Sequence, residues 1–122
     1  MDISFVSIVG YQNVASGGSK HTVYVLEVTL NGTSYAVSHR YQNFKELYDK
    51  LSQEGIQCPP LPPKKFLGSF NPDFLSKRQQ ELNTWMHSVC NNSSSSLPDP
   101  KHTEVLHNFL HHKVSSLVVL ET

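Results

Sequence analysis

The first forty residues alternate between apolar and polar side chains, and this pattern predicts β-strands. Residues 3–11 are rich in Ile, Phe and Val, and Gly17-Gly18 then indicates a turn. In residues 22–30 every second side chain is apolar, which is the period of a strand that buries one face. The pair Asn31-Gly32 is typical of a two-residue hairpin turn, because both turn positions need a positive φ. Residues 33–41 are predicted to pair with residues 22–30 across this turn, which gives a three-stranded antiparallel meander.

Beyond residue 41 the apolar positions recur at helical spacing in three segments. In the first segment, Asn43 and Glu46 resemble a capping box, apolar residues follow one turn apart, and Gly55 offers a stop. Asn71-Pro72 and Asp99-Pro100 each place an N-cap residue before a proline, so each predicts the start of another helix.

The sequence Pro59-Pro60-Leu61-Pro62-Pro63 separates the first two predicted helices. Prolines at this density exclude a helix or a central strand and predict an extended, polyproline-like crossing. The predicted fold class is therefore α+β, with the meander followed by a helical subdomain and a proline-rich crossing loop. Residues 1–114 form the predicted domain, and residues 115–122 are interpreted as a tail or the start of a linker.

Charge and composition narrow the possible functions. Ten Lys or Arg residues balance ten Asp or Glu residues, so the formal net charge is zero. Nucleic acid is not an expected partner, because non-specific binders normally carry a basic excess. Two cysteines, Cys58 and Cys90, and a start that does not resemble a secretory signal predict a cytoplasmic protein. No apolar run approaches the ~20 residues that span a bilayer, so a membrane role would be peripheral.

Catalytic chemistry needs a nucleophile, a base or a metal set at a defined spacing, and the sequence offers none. The only suggestive group is His107, His111 and His112, since helical residues four apart can share a metal. No carboxylate or cysteine flanks them in a ligand pattern, so we interpret them as a solvated helix edge. The prediction is a protein that is not an enzyme and needs no metal or cofactor.

Arginine is scarce, which makes its two positions informative. Arg40 lies at the end of the third predicted strand, and Arg78 shares the apolar face of the second helix with Leu75 and Leu82. An arginine on a buried face needs a partner, and its planar fork suits bidentate phosphate binding. The alternative from periodicity alone is that each arginine pairs with an acidic side chain at the rim.

Three motifs, in order and at the right spacing, resemble the PX (phox-homology) family. They are RYQNFKELYDKL from Arg40, CPPLPPK from Cys58, and FLGSFNPDFLSKRQQELNTWM around Arg78. The resemblance covers about residues 3–114. It implies binding of phosphatidylinositol 3-phosphate, recruitment to endosomal membranes, and a role in trafficking or sorting. Two positions depart from the family pattern: His39 replaces a usual Arg or Lys, which lowers the local positive potential, and Cys58 replaces an apolar residue.

The resemblance also implies a role for each matching position. Arg40 corresponds to the arginine that holds the 3-phosphate, and Tyr41 to the aromatic on which the inositol ring stacks. Lys64 corresponds to the lysine that meets the 1-phosphate, with Lys65 as a substitute. Arg78 corresponds to the arginine that binds the 4- and 5-hydroxyls.

Two further hypotheses concern the region around the crossing. Phe66, Leu67 and Phe70 crowd a short loop after the two lysines, and we expect at least two of them to enter the bilayer interface. The alternative is that they fold into the core. The segment from Pro59 to Pro63 also has the composition of an SH3 ligand, which gives an alternative function as a protein-interaction module.

Overall fold

The computed structural model describes residues 3–64, 70–90 and 104–111. Three strands and three helices follow one another along the chain: β1 (Ile3–Ser16), β2 (Ser19–Leu30), β3 (Thr33–His39), α1 (Tyr41–Gln53), α2 (Pro72–Cys90) and α3 (Glu104–Leu110). The strands form one antiparallel sheet in the order β1-β2-β3. The predicted α+β class and the meander are therefore confirmed.

The turn between β2 and β3 follows the prediction from Asn31-Gly32. Asn31 has a φ of 52° and Gly32 a φ of 82°, and Leu30 pairs with Thr33 across the turn. This register places alternate β2 side chains on the inner face of the sheet. That inner face buries Tyr24, Leu26, Val28 and Leu30.

The N-cap of helix α1 lies three residues earlier than the capping-box pattern predicts, at Arg40 instead of Asn43. Arg40 has extended φ and ψ angles of −82° and 162°, and Tyr41 is already helical. Asn43 does not precede the helix; its Oδ1 reaches back and accepts a hydrogen bond from the Arg40 N–H at 2.9 Å. The predicted start at Asn43 was therefore wrong. The strand also ends at His39 rather than at residue 41, because the backbone turns at Arg40.

Helix α2 covers the outer edge of β1 with a stripe of polar side chains. Asn83 Oδ1 accepts a hydrogen bond from the Ile8 N–H at 2.7 Å, and Gln79 Nε2 donates to the Ile8 carbonyl at 3.3 Å. His87 Nε2 donates to the Val6 carbonyl at 2.8 Å. These contacts satisfy backbone groups that an edge strand otherwise presents to water or to another strand. Helix α2 is thus joined to the edge of the sheet by three side-chain hydrogen bonds.

The core lies between the inner face of the sheet and the three helices. Helix α2 contributes Leu82, Trp85, Met86 and Val89, as its predicted apolar face requires. Asn71 caps this helix, because its Oδ1 accepts hydrogen bonds from the backbone of Asp73 and Phe74. The predicted helix start at Asp99-Pro100 lies outside the described residues. Within the described ranges, the helices are too short or too polar to cross a bilayer.

Candidate functional site

A cavity of about 360 Å³ opens where four parts of the chain meet. These parts are the end of the β1-β2 hairpin, the start of α1, the end of the proline crossing and the first turns of α2. The side chains that give the cavity its chemical character are Lys20, Tyr24, Arg40, Tyr41, Lys45, Lys64, Phe70, Phe74 and Arg78. The structure thus brings together Arg40, Tyr41, Lys64 and Arg78, four of the residues to which the sequence resemblance assigned a role.

Positive charge is concentrated in this cavity. Five of the ten Lys and Arg residues of the chain line it, and none of the described lining residues is Asp or Glu. Lys45 is the cavity lysine with a carboxylate partner one helical turn away, since its Nζ lies 2.7 Å from Asp49 Oδ1. A chain with no net charge therefore presents a strongly cationic concave site. Such a site favours a compact anionic ligand.

Arg78 is the most deeply placed of these cations. Its side chain is only 4% exposed, and its Nη2 donates a hydrogen bond to the Pro63 carbonyl. The guanidinium carbon lies 4.5 Å from the centre of the Tyr41 ring and 4.8 Å from that of Phe74. Such contacts stabilise a cation by about 0.5–2 kcal/mol each.

The hydrogen-bond donors of Arg78 are not all used. Its Nε is buried and has no hydrogen-bond partner among the described residues. No described carboxylate lies within ion-pair distance of the guanidinium. The alternative from periodicity, in which Arg78 pairs with an acidic side chain at the rim, therefore fails for the part of the chain that the structure describes. A buried arginine without an anion can take one from solution.

Arg40 differs from Arg78 because its side chain is exposed at the cavity wall. Its position is fixed by its backbone, which is the N-cap of α1 and exchanges hydrogen bonds with Asn43 in both directions at 2.9 Å. The side chain makes no capping hydrogen bond. A backbone anchored by two hydrogen bonds therefore presents an exposed guanidinium at the cavity wall.

The proline crossing is held to the fold through its backbone carbonyls. Tyr41 Oη donates to the Pro62 carbonyl at 2.5 Å, and Trp85 Nε1 donates to the Pro59 carbonyl at 2.7 Å. With the Arg78 contact to Pro63, three side chains fix three carbonyls. The rings of Pro59, Pro60 and Pro63 are exposed, whereas Leu61 and Pro62 are half-buried. The crossing is thus fixed to the fold by its carbonyls, and three of its proline rings stay exposed.

Tyr24 is the buried tyrosine of the cavity floor. Burial raises the pKa of Tyr24 to about 12, and the nearby Arg78 charge reduces this increase. The hydroxyl is therefore protonated at neutral pH and adds no negative charge to the site.

Phe70 lines the cavity and is 38% exposed, one of three exposed large apolar residues in the described part of the chain. Its ring is contacted by Lys20, whose Nζ lies 4.6 Å from the ring centre. Lys65, Phe66 and Leu67 lie outside the described residues, so their predicted roles stay predictions.

His39 does not belong to this cavity. Its Nε2 donates to the Phe109 carbonyl at 2.7 Å, and its ring stacks on the Phe109 ring with centres 3.8 Å apart. Burial lowers the pKa of His39, which favours the neutral imidazole. This direction agrees with the expectation that His39 adds little positive potential near neutral pH, and the side chain packs against α3 outside the cavity.

Lys20 and Lys45 are cavity residues that the sequence reasoning missed. Lys45 lies four residues after Tyr41, so helical spacing alone could have placed both side chains on one face. Lys20 offers no such signal, because it reaches the cavity only through the long hairpin. Of the three histidines singled out in the sequence, His107 lies in α3 and His111 follows it, whereas His112 lies outside the described residues, so its predicted role stays a prediction.

Comparisons with known proteins identify relatives of this chain. The profile of the PX domain family matches residues 27–113. Human Sorting nexin-24 is 35% identical over 69 residues, which are 57% of this chain and 40% of that protein. The mouse PX domain-containing protein kinase-like protein is 31% identical over 75 residues, which are 59% of this chain and 13% of that protein.

Solved structures agree with the sequence comparisons. A designed CISK-PX domain has 32% sequence identity and a TM-score of 0.76, and the match covers 88% of this chain and 99% of that domain. This chain spans less than half the length of the sequence relatives it matches.

Proposed function

Because this chain belongs to the PX domain family, we propose that it is a phosphoinositide-binding module that recruits its protein to membranes during trafficking. The ligand we propose is phosphatidylinositol 3-phosphate, on the cytoplasmic face of endosomes. The observation that carries the proposal is Arg78, a buried cation without a described carboxylate partner in a cavity lined by four more cations. PX domains are generally non-enzymatic, and the match to the kinase-like protein covers only 13% of it.

Each headgroup contact is proposed from the position of one side chain. Arg40, exposed at the start of α1, holds the 3-phosphate, and Lys64, at the end of the crossing, meets the 1-phosphate with Lys65 as a substitute. Arg78 binds the 4- and 5-hydroxyls through its guanidinium, whose Nε has no hydrogen-bond partner among the described residues. Tyr41, whose ring lies beside the Arg78 guanidinium, is the aromatic on which the inositol ring stacks in this proposal.

Membrane contact is proposed for the segment between the crossing and α2. Phe70 borders the cavity mouth and is partly exposed, so it can enter the bilayer interface when the headgroup is bound. An inserted Phe contributes ~1.5–3 kcal/mol, and each lysine near an anionic leaflet adds about 1 kcal/mol. That at least two of Phe66, Leu67 and Phe70 insert stays a prediction from the sequence, since Phe66 and Leu67 lie outside the described residues.

Binding of an SH3 domain to the segment from Pro59 to Pro63 is the weaker candidate function. Three exposed proline rings favour it. Against it, Trp85, Tyr41 and Arg78 engage three carbonyls of the segment, and a partner that wrapped the crossing would have to compete with them.

Liposome sedimentation tests the proposal. Vesicles of equal total charge would contain phosphatidylinositol, its 3-, 4- or 5-monophosphate, or phosphatidylserine alone. The proposal requires clear preference for the 3-phosphate over the isomers. Equal binding to all vesicles would reduce the interaction to non-specific charge attraction and would contradict a headgroup site.

A further inference from the structure

Asn43 connects the cavity residue Arg40 to His39, the last residue of β3. Asn43 Oδ1 accepts a hydrogen bond from the Arg40 N–H at 2.9 Å, and the Asn43 side chain also hydrogen-bonds the His39 ring. Since His39 Nε2 is engaged with the Phe109 carbonyl at 2.7 Å, the ring nitrogen that is left for Asn43 is Nδ1. One amide side chain thus contacts both the N-cap of α1 and the end of β3.

The His39 ring is held between two helices. It stacks on the Phe109 ring of α3 with centres 3.8 Å apart, and it meets the Phe44 ring of α1 edge-on with centres 6.2 Å apart. A carbonyl oxygen can only accept, so Nε2 carries the hydrogen of the neutral ring and Nδ1 carries none. The packing therefore fixes both the position of the ring and its tautomer.

The described charges that face the His39 ring balance each other. The ring lines a cavity of about 240 Å³ between α1 and α3, in which the charged side chains are Glu46 and Lys50 of α1, one of each sign. The α3 side of this cavity is formed by the uncharged residues Val105, Asn108 and Phe109. On β2 the residue paired with His39 is Tyr24, which is neutral because burial raises its pKa to about 12. Burial is therefore the main influence on the protonation of His39, and it lowers the pKa of this ring.

Protonation of His39 would change the hydrogen bond that places Arg40. Nδ1 then becomes a donor, and the acceptor that Asn43 offers is Oδ1, the oxygen that holds the Arg40 N–H. Two donors would share one oxygen and a buried ring would carry a charge, which favours release of the ring from between the helices. Because the Arg40 side chain is exposed, its position depends on this backbone, and a loosened N-cap would have to be ordered again when a ligand binds.

We propose that His39 and Asn43 are positioning residues that hold Arg40 for its phosphate while the His39 ring is neutral, and that acid weakens headgroup binding through them. This role rests on the proposed function, in which Arg40 meets the 3-phosphate. Neither His39 nor Asn43 lines the basic cavity, so both act through Arg40.

The direction of the pH effect follows from the burial of the ring. Burial lowers the pKa of His39, so a released ring takes up a proton at a higher pH than the held ring. The held state therefore loses population as the pH falls below about 6.5, the ordinary pKa of an imidazole, and it loses at most about tenfold per pH unit.

The test measures the binding of inositol 1,3-bisphosphate by calorimetry at about pH 7.5 and about pH 5.5, on either side of the ordinary imidazole pKa. His39→Gln offers an amide N–H to the Phe109 carbonyl and does not titrate. His87→Gln is the matched control, because His87 also donates Nε2 to a backbone carbonyl, that of Val6, but does so at the other edge of the sheet. The ligand phosphate and His21, which lines the cavity, are common to all three proteins, so their protonation cancels in the comparison.

The loss of affinity between the two pH values should be at least about threefold larger in the parent than in His39→Gln, and His87→Gln should keep the parental loss. Equal losses in the parent and His39→Gln, or a loss that His87→Gln reduces as much, would overturn the proposal. Failure of the parent to bind the headgroup at the higher pH would instead contradict the proposed function itself.

Variants of Asn43 test the same role without a change of pH. Asn43→Asp keeps an oxygen for the Arg40 N–H, whereas Asn43→Ala removes it. At about pH 7.5, Asn43→Asp should therefore bind the headgroup at least about threefold more tightly than Asn43→Ala. Equal affinities of these two variants would show that Asn43 does not position Arg40.

Discussion

Arg40→Ala separates recognition from folding more cleanly than any other change in the cavity. The Arg40 backbone caps α1, with its N–H donating to Asn43 Oδ1 and its carbonyl accepting from the Asn43 N–H. Its side chain is exposed and makes no capping hydrogen bond. Truncation to Ala therefore leaves the helix start intact, and we expect the free energy of unfolding to change by no more than about 0.5 kcal/mol.

The loss of binding should be much larger than this change in stability. A hydrogen bond to a charged group contributes roughly 1.5–3 kcal/mol, which corresponds to a factor of about 10 to 150 in affinity. Arg40→Lys keeps the charge but loses the planar fork, so its affinity should fall between that of the parent and that of Arg40→Ala.

The assay is sedimentation with vesicles that contain phosphatidylinositol 3-phosphate, run beside urea denaturation of each variant. Lys50→Ala is the control, because it removes one exposed positive charge of α1 outside the cavity. Binding of Arg40→Ala at parental strength, with parental stability, would refute the assignment of the 3-phosphate to this residue. An equal loss of vesicle binding in Lys50→Ala would mean that the loss reflects the net charge of the protein and not a contact made by Arg40.

Three further changes test other parts of the structure. Asn83→Ala should lower the free energy of unfolding by about 1–3 kcal/mol, because the Ile8 N–H loses its acceptor. Asn83→Asp keeps an acceptor oxygen and should lose less, so equal losses in the two variants would contradict the role of this hydrogen bond. Burial lowers the pKa of His39, so stability should fall as the pH drops below about 6.5, where the unfolded imidazole takes up a proton. A His39→Gln variant with the same pH slope in thermal denaturation would refute that assignment. Phe70→Ser should weaken vesicle binding more than binding of a soluble headgroup. An equal loss of both affinities would mean that Phe70 contacts the headgroup and does not enter the membrane.

Features that depend on a few adjacent residues could be predicted from the sequence. Asn31-Gly32 predicts its turn because positive φ is a local property of those two residues, and the observed angles agree. The buried face of β2 follows from the two-residue period of a strand. Helical spacing likewise predicts a cation on the apolar face of α2, since Arg78 lies three residues after Leu75 and four before Leu82.

Features that depend on the packing of distant segments could not be predicted. Asn83 and Ile8 are 75 residues apart, and nothing in either segment says that an α2 amide meets a β1 N–H. Lys20 reaches the cavity only because the hairpin is long enough to bring its end beside α2. His39 was placed near the site by its position next to Arg40, but successive strand residues point to opposite sides, and its side chain lies against Phe109.

The cavity is built in a way that makes ligand binding and folding reinforce each other. Burial of a cation without an anion is unfavourable, and the fold tolerates Arg78 because a proline carbonyl and two aromatic rings partly replace water. These partners do not neutralise its charge. An anionic headgroup would neutralise the Arg78 charge, so the free energy of unfolding should rise with ligand concentration as mass action requires. Tyr41 lines the same cavity and also donates to the Pro62 carbonyl, so a ligand that orders Tyr41 would stabilise that contact with the crossing as well.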